Sequence, residues 1–187
     1  MAKVPTFSLI VLLFLAISLP TNSQEFSTKV PKRELQRSER LIRLRFFLRE
    51  SIRGDAPSAL VVAQAPTTPT YRYNFGRVLV FDDPLTEGPN LSSRAVGRAQ
   101  GLSTYADVRE TGLLMVYNYF FTEGRYNDST LQVMGRNAPR SDVRDLSVLS
   151  GTGRLRGARG YVRLRAYSVD IQRGYFVDEH LVFLILP

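Results

Sequence analysis

The run YVRLRAY, residues 161–167, alternates without a break. Arg163 and Arg165 fall on one side of an extended chain, and Val162, Leu164 and Ala166 on the other. Successive side chains of a strand point to opposite faces, so this pattern marks a strand with one wet face and one buried face. LIRLRFFL, residues 41–48, repeats it for most of its length: Ile42, Leu44 and Phe46 share a face, and Arg43 and Arg45 take the other. Further runs rich in branched and aromatic residues read as strands at 59–65, 77–81, 113–121, 130–135 and 180–186. Residues 97–101 (GRAQG) read as one more, its glycines permitting curvature or close packing. Turn-like breaks separate the runs: Arg53-Gly54-Asp55, Asp82-Asp83-Pro84, Glu87-Gly88-Pro89-Asn90, Glu123-Gly124 and Asn127-Asp128. With no internal repeat and no domain-splitting linker, this is an all-β single domain, a sandwich or a barrel.

The first residues have a different character. Lys3 precedes an apolar run at 7–19, shorter than the about 20 residues of a membrane span. Pro20 ends the run, and Thr21 and Ser23 stand at −3 and −1 to a cut after Ser23. This predicts a secretory signal peptide over 1–23. Residues 24–40 are polar and crowded with charge, and read as a flexible lead-in to a domain at 41–187. Export would make Asn90-Leu91-Ser92 and Asn127-Asp128-Ser129 glycan acceptors. The chain has no cysteine, so packing or oligomerisation must hold an exported fold, and thiol chemistry is excluded.

A net charge of +8 would suggest nucleic acid for a cytosolic protein. For an exported one it suits an acidic cell-wall polysaccharide or an anionic membrane surface, or serves solubility alone. One histidine, His180, is too few for a zinc site, and Asp82-Asp83 falls short of a calcium loop. No Gly-x-Ser-x-Gly elbow accompanies His180, which reads as structural or solvent-facing. Gly151-Thr152-Gly153-Arg154-Leu155-Arg156-Gly157 lacks the spacing of a dinucleotide loop and reads as a tight turn or bulge. What remains is acid–base work by Asp, Glu, Arg and Tyr in a cavity that Tyr and Phe line. A barrel of this length holds one small ligand.

FGRVLVFDDPLTEGPNLSSRAVGRAQG, residues 75–101, resembles the signature stretch of plant dirigent proteins. The resemblance continues through residues 113–121, 126–131 and 135–137, then Val143-Arg144-Asp145, residues 150–153 and residues 158–161. It implies an eight-stranded antiparallel β-barrel of the calycin and allene oxide cyclase type, usually a trimer secreted to the apoplast. It implies no cofactor, and from composition and expected export no metal and no nucleic acid are expected. The implied partners are a phenolic small molecule and an external laccase or peroxidase that supplies radicals. Some members guide phenoxy-radical coupling in lignan and phenylpropanoid biosynthesis. Others close quinone methide rings, as in dehydration to pterocarpans. The alternative is a defence-related barrel that binds a phenolic or wall component without turnover.

Carried over residue by residue, the resemblance makes Glu50 and Arg144 the catalytic candidates, with Tyr105 and Asn137 in the substrate pocket. Arg49-Glu50 stands where the family often has His-Asp, and Asn137 stands where lignan-forming members have a second Asp. Read structurally instead, Glu50 would pair with a neighbouring Arg, and Arg144 with Asp142 or Asp145 in a surface turn. Asp82-Asp83-Pro84 reads as a structural turn. The outer face of the C-terminal strand is the expected subunit contact, since large bare apolar patches are uncommon on monomers.

Overall fold

A computed structural model of the chain describes residues 39–187. The predicted signal peptide, and all of the lead-in before Glu39, lie outside the described residues. Nine strands follow: β1 (Arg40–Ser51), β2 (Ala59–Ala63), β3 (Val78–Thr86), β4 (Ala95–Tyr105), β5 (Leu113–Phe121), β6 (Thr130–Asn137), β7 (Arg144–Gly151), β8 (Arg159–Asp170) and β9 (Tyr175–Leu186). They form one sheet in the order β1-β9-β8-β7-β6-β5-β4-β3-β2. Every pairing is antiparallel, and a further pairing of β1 with β3 closes the sheet on itself. Eight strands therefore make the barrel, and β2 continues β1's role along the other half of β3. Closure removes the exposed edge that an open sheet of this size would present.

Alternation places the core. On β1, Phe46 and Leu48 point inward, and on β9, His180, Val182, Leu184 and Leu186 do. The bulk of one strand is matched to the slenderness of its neighbour. On β5 the inward side chains are Tyr117, Tyr119 and Phe121, and the register sets them opposite Gly101, Ala99 and Gly97 of β4. A Cβ on Gly101 would lie 2.4 Å from the Tyr117 Cβ, so only glycine lets the strands approach there. The far end is sealed by Leu131, Phe121, Leu184 and Leu155, the last from a short 3-10 turn, Gly153–Leu155. Gly151 must lack a side chain because its Cβ would fall 2.4 Å from the Leu155 carbonyl oxygen. The glycine-rich segment is thus a turn that plugs the barrel.

Three sequence readings need correction. Asp82-Asp83-Pro84 is no turn but the middle of β3. Pro84 is tolerated because it lies at the seam where β3 changes partner. Asp82 donates its N–H to the Ser58 carbonyl beside β2, and Leu85 and Thr86 face β1. The missing N–H of Pro84, on that same side, interrupts no ladder there. Next, β7 was not recognisable as a run, since its inward positions hold Arg144, Leu146 and Val148 and the exposed Leu149 breaks the alternation. Last, the alternation of residues 161–167 holds through Leu164. A register shift between Ala166 and Ser168 then breaks it and leaves Ala166 exposed.

Candidate functional site

At the end of the barrel where β1 and β4 finish and β5, β7 and β9 begin, the inward face turns polar. Glu50 follows Phe46 and Leu48 on the inner face of β1. It is half-buried, so a small molecule entering this end can reach it. Burial, reinforced by the nearby Asp178 carboxylate, pushes the Glu50 carboxyl up to about 7. Among the described residues no cation pairs with it, so the expected pairing with a neighbouring Arg is not formed. Tyr105 closes β4, half-buried, with its phenol pushed up by burial and by Glu50. Its backbone is tied on both sides, to the Arg77 carbonyl and the Gly76 N–H, each at 2.9 Å.

Arg144 opens β7 and points inward, only 6% exposed. Its Nη2 donates to Asp178 Oδ1 at 3.0 Å and its Nη1 to Asn137 Oδ1 at 3.2 Å. It pairs with neither Asp142 nor Asp145; Asp145 is taken by Arg163 on the outer face. Asn137 is itself buried, and its Nδ2 donates to the Met115 sulfur at 3.0 Å. The amide therefore fixes the guanidinium more than it lines an open pocket. The Arg144 Nε has no partner among the described residues, leaving one buried donor free. Arg49, the neighbour of Glu50, faces the other way. It donates to Thr86 Oγ1 at 3.3 Å, to the Tyr175 hydroxyl at 2.6 Å and to the Pro89 carbonyl, and so clamps the outside of the seam.

Deeper in the barrel lies a hydrogen-bonded file of aromatic groups. The Tyr117 and Tyr119 hydroxyls are 2.9 Å apart, and Tyr119 meets His180 Nδ1 at 2.5 Å. His180 is 1% exposed and sits mid-strand, so the solvent-facing reading fails. Burial pushes the imidazole down to about 3 and both phenols up, so all three are neutral near pH 7. The file gives the inner wall hydrogen-bonding groups without fixed charge.

Sequence reasoning missed two residues of this site. Asp178 is the anion that holds Arg144. Asp83 points inward from β3 at 2% exposure, and its Oδ1 accepts a hydrogen bond from Ser58 Oγ at 2.5 Å. Burial, then Glu50, pushes this carboxyl up to about 8. A signal was present in the sequence: Phe81, Asp83 and Leu85 share one parity, which the turn-like Asp-Asp-Pro concealed. Among the described residues no group of His, Asp and Glu side chains is assembled for a metal ion. Asn90 and Asn127 are both exposed in loops.

Residues 41–185 match the family model described as dirigent-like protein. The chain belongs to the dirigent family. Its relatives include dirigent protein 21 of Arabidopsis thaliana, 39% identical over 94% of this chain and 95% of that protein. Pterocarpan synthase 1 of Glycine max is 40% identical over 98% of both chains. Among solved structures, the pterocarpan synthase dirigent protein GePTS1 superposes with a TM-score of 0.80 at 34% identity, covering 86% of this chain and 99% of that one. The eight-stranded antiparallel barrel expected of this dirigent chain is the fold observed.

Proposed function

We propose that this dirigent protein binds a phenolic intermediate at the polar end of its barrel and directs the stereochemistry of a ring closure on a quinone methide. The observation that carries this reading is Glu50, a reachable inward-facing carboxyl that burial keeps protonated close to neutral pH. The step balances without a redox partner. Glu50 gives its proton to the quinone methide oxygen, and a hydroxyl of the same substrate adds to the exocyclic carbon. A C–O bond forms, the ring becomes a phenol, and the proton of the attacking hydroxyl returns to Glu50. Stereochemistry follows from shape, because a wall that admits the intermediate in one orientation exposes one face to attack. Arg144, locked by Asp178 and Asn137, places a buried positive charge at this end of the barrel. Tyr105 lines the entrance.

Such an intermediate arises by loss of water from a benzylic alcohol, or by coupling of two phenoxy radicals that a laccase or peroxidase has made. The test offers the protein both sources: an isoflavanol, and coniferyl alcohol with a laccase. Products are resolved by chiral chromatography. Enantiomeric enrichment from either source supports the reading. Racemic product at the uncatalysed rate from both refutes it and leaves a barrel that binds without turnover.

Secretion, glycans at Asn90 and Asn127, and assembly into a homotrimer belong to the same proposal. Support for assembly comes from the outer surface. Leu60, Val80, Leu102, Val116 and Met134 face each other in unbroken cross-strand register over β2 to β6, and each is at least 40% exposed. This row is barer than the outer face of the C-terminal strand, where Leu181, Phe183 and Ile185 are half-buried. A second copy would cover it. Val116→Asp is expected to convert the assembly to monomers by light scattering with the circular dichroism spectrum kept. A wild-type monomer at micromolar concentration would refute the assembly.

A further inference from the structure

We propose that Asp83 is the second carboxyl of this site, set face to face with Glu50 across the seam of the barrel so that the two act as one proton-sharing unit. The inference rests on the ring-closure reading for its chemical role and on the fold for its geometry. β1 and β3 pair Phe47 with Thr86 and Leu48 with Leu85. Two residues further along the same register, Glu50 stands opposite Asp83. Both lie on the inward parity of their strands, with Phe46 and Leu48 on one side and Phe81 and Leu85 on the other. The backbone ladder stops before reaching them, because residues 51–58 turn back and Ser58 takes over as the partner of Ser51 and Asp82. Two acids thus occupy the one stretch of the seam where β1 and β3 are not bonded.

Ser58 fixes the arrangement. Its Oγ accepts the Ser51 N–H at 2.9 Å and donates to Asp83 Oδ1 at 2.5 Å. The other Asp83 oxygen and the Glu50 carboxyl receive no hydrogen bond from the described residues. No cation pairs with either carboxyl, and Arg98 acts on Asp83 only as the weakest of its neighbours. Arg144 on β7 is committed to Asp178 and Asn137, and Arg98 on β4 pairs with Asp82 on the outer face. Arg49 is turned outward, and Arg77 lies beside Tyr105. Asp178 on β9 adds negative charge. Two buried carboxyls facing each other without a paired cation resist ionising together, so one proton is retained between them until the solution turns alkaline.

The division of labour follows from exposure. Glu50 is reachable and meets the substrate. Asp83 is sealed and acts through Glu50, as a positioning residue and proton reserve. It stands in for the second acid that the Asn137 amide cannot supply.

The test needs no substrate for its first arm. The carbonyl stretch of protonated carboxyls is followed by infrared spectroscopy as the purified protein is titrated. Wild type should keep a protonated carboxyl above pH 7 and lose it in two steps. Asp83→Asn should show one step, Asp83→Glu two again, and Ser58→Ala an upper step moved to higher pH, since the serine hydrogen bond favours ionised Asp83. In the second arm, Asp83→Asn lowers kcat for ring closure about tenfold with KM unchanged and removes the upper limb of the pH profile. Titration and pH profile identical in wild type and Asp83→Asn would overturn the pair. A two-step titration with racemic product from the wild type would refute the ring-closure function and leave the pair standing.

Discussion

The Glu50→Gln variant is expected to close the quinone methide ring about a hundredfold to a thousandfold more slowly than the wild-type chain, with its fold intact. The amide matches the carboxylic acid in shape and makes no demand for a lost ion pair, because Glu50 has none among the described residues. What it removes is the transferable proton. Glutamine cannot protonate the substrate oxygen or accept the proton of the attacking hydroxyl. The rate should fall while binding of the phenolic ligand, measured by fluorescence quenching of the barrel tyrosines, stays within a few fold. Enantiomeric excess should drop with the rate, as the uncatalysed closure in solution takes over. An unchanged rate with unchanged excess would remove Glu50 from the chemistry and return the site to orientation alone.

The second large effect concerns stability. The fold is expected to weaken steadily as the solution passes from mildly acid to alkaline. Asp83 rises from 3.8 to about 8 and Glu50 from 4.5 to about 7. A carboxyl whose folded-state value lies above its unfolded one binds more protons folded than unfolded between the two. Its contribution is therefore fully present below about 4 and is lost as pH climbs towards 8. His180 acts in the opposite sense. Its folded value is about 3 against an ordinary 6.5, so the unfolded chain takes the proton first and stability is lost as pH falls from 6.5 towards 3. Above 6.5 only the carboxyl slope remains. At about 1.4 kcal/mol per unit, the two carboxyls together cost on the order of 6–7 kcal/mol between pH 5 and pH 9, and His180 returns about 2 kcal/mol of that between pH 5 and pH 6.5, leaving a net loss of about 4–5 kcal/mol. Urea denaturation at those two pH values measures it. Asp83→Asn should lose more than half of the difference; equal losses in variant and wild type would show that Asp83 ionises freely in the fold.

Both effects have the same origin. The site keeps groups that burial disfavours in their charged forms, and the barrel pays for them with packing elsewhere. Aromatic rings on β5 lie over a strand of glycine and alanine, and the far end is closed by leucines. That packed floor lets the polar end hold groups that burial disfavours, as sites often do relative to their scaffolds.

Much of this protein is legible in its sequence. Alternation in residues 41–48 and 161–167 assigns strands and says which side chains point inward, because a pleated backbone has a period of two. The blocks from residue 75 to residue 161 carry the family and, with it, Glu50, Arg144 and Tyr105. Alternation has no means of telling which strand lies beside which. Glu50 and Asp83 are 33 residues apart in the chain, and only the return of β3 to β1 brings them opposite one another. A local reading of Asp-Asp-Pro is a turn, since proline and paired aspartates disfavour a regular ladder. The seam between β1 and β2 supplies a place in the sheet where that proline interrupts no ladder. Asp178 and His180 are equally silent alone: a polar residue on an inward parity becomes a held anion or a neutral imidazole only once closure sets its depth and its neighbours. The sequence determined most of the strands, the inner faces of the regularly alternating ones, and the family. Tertiary closure decided which acids meet and how far from water they sit, because proton affinity depends on neighbours and burial that no single strand contains.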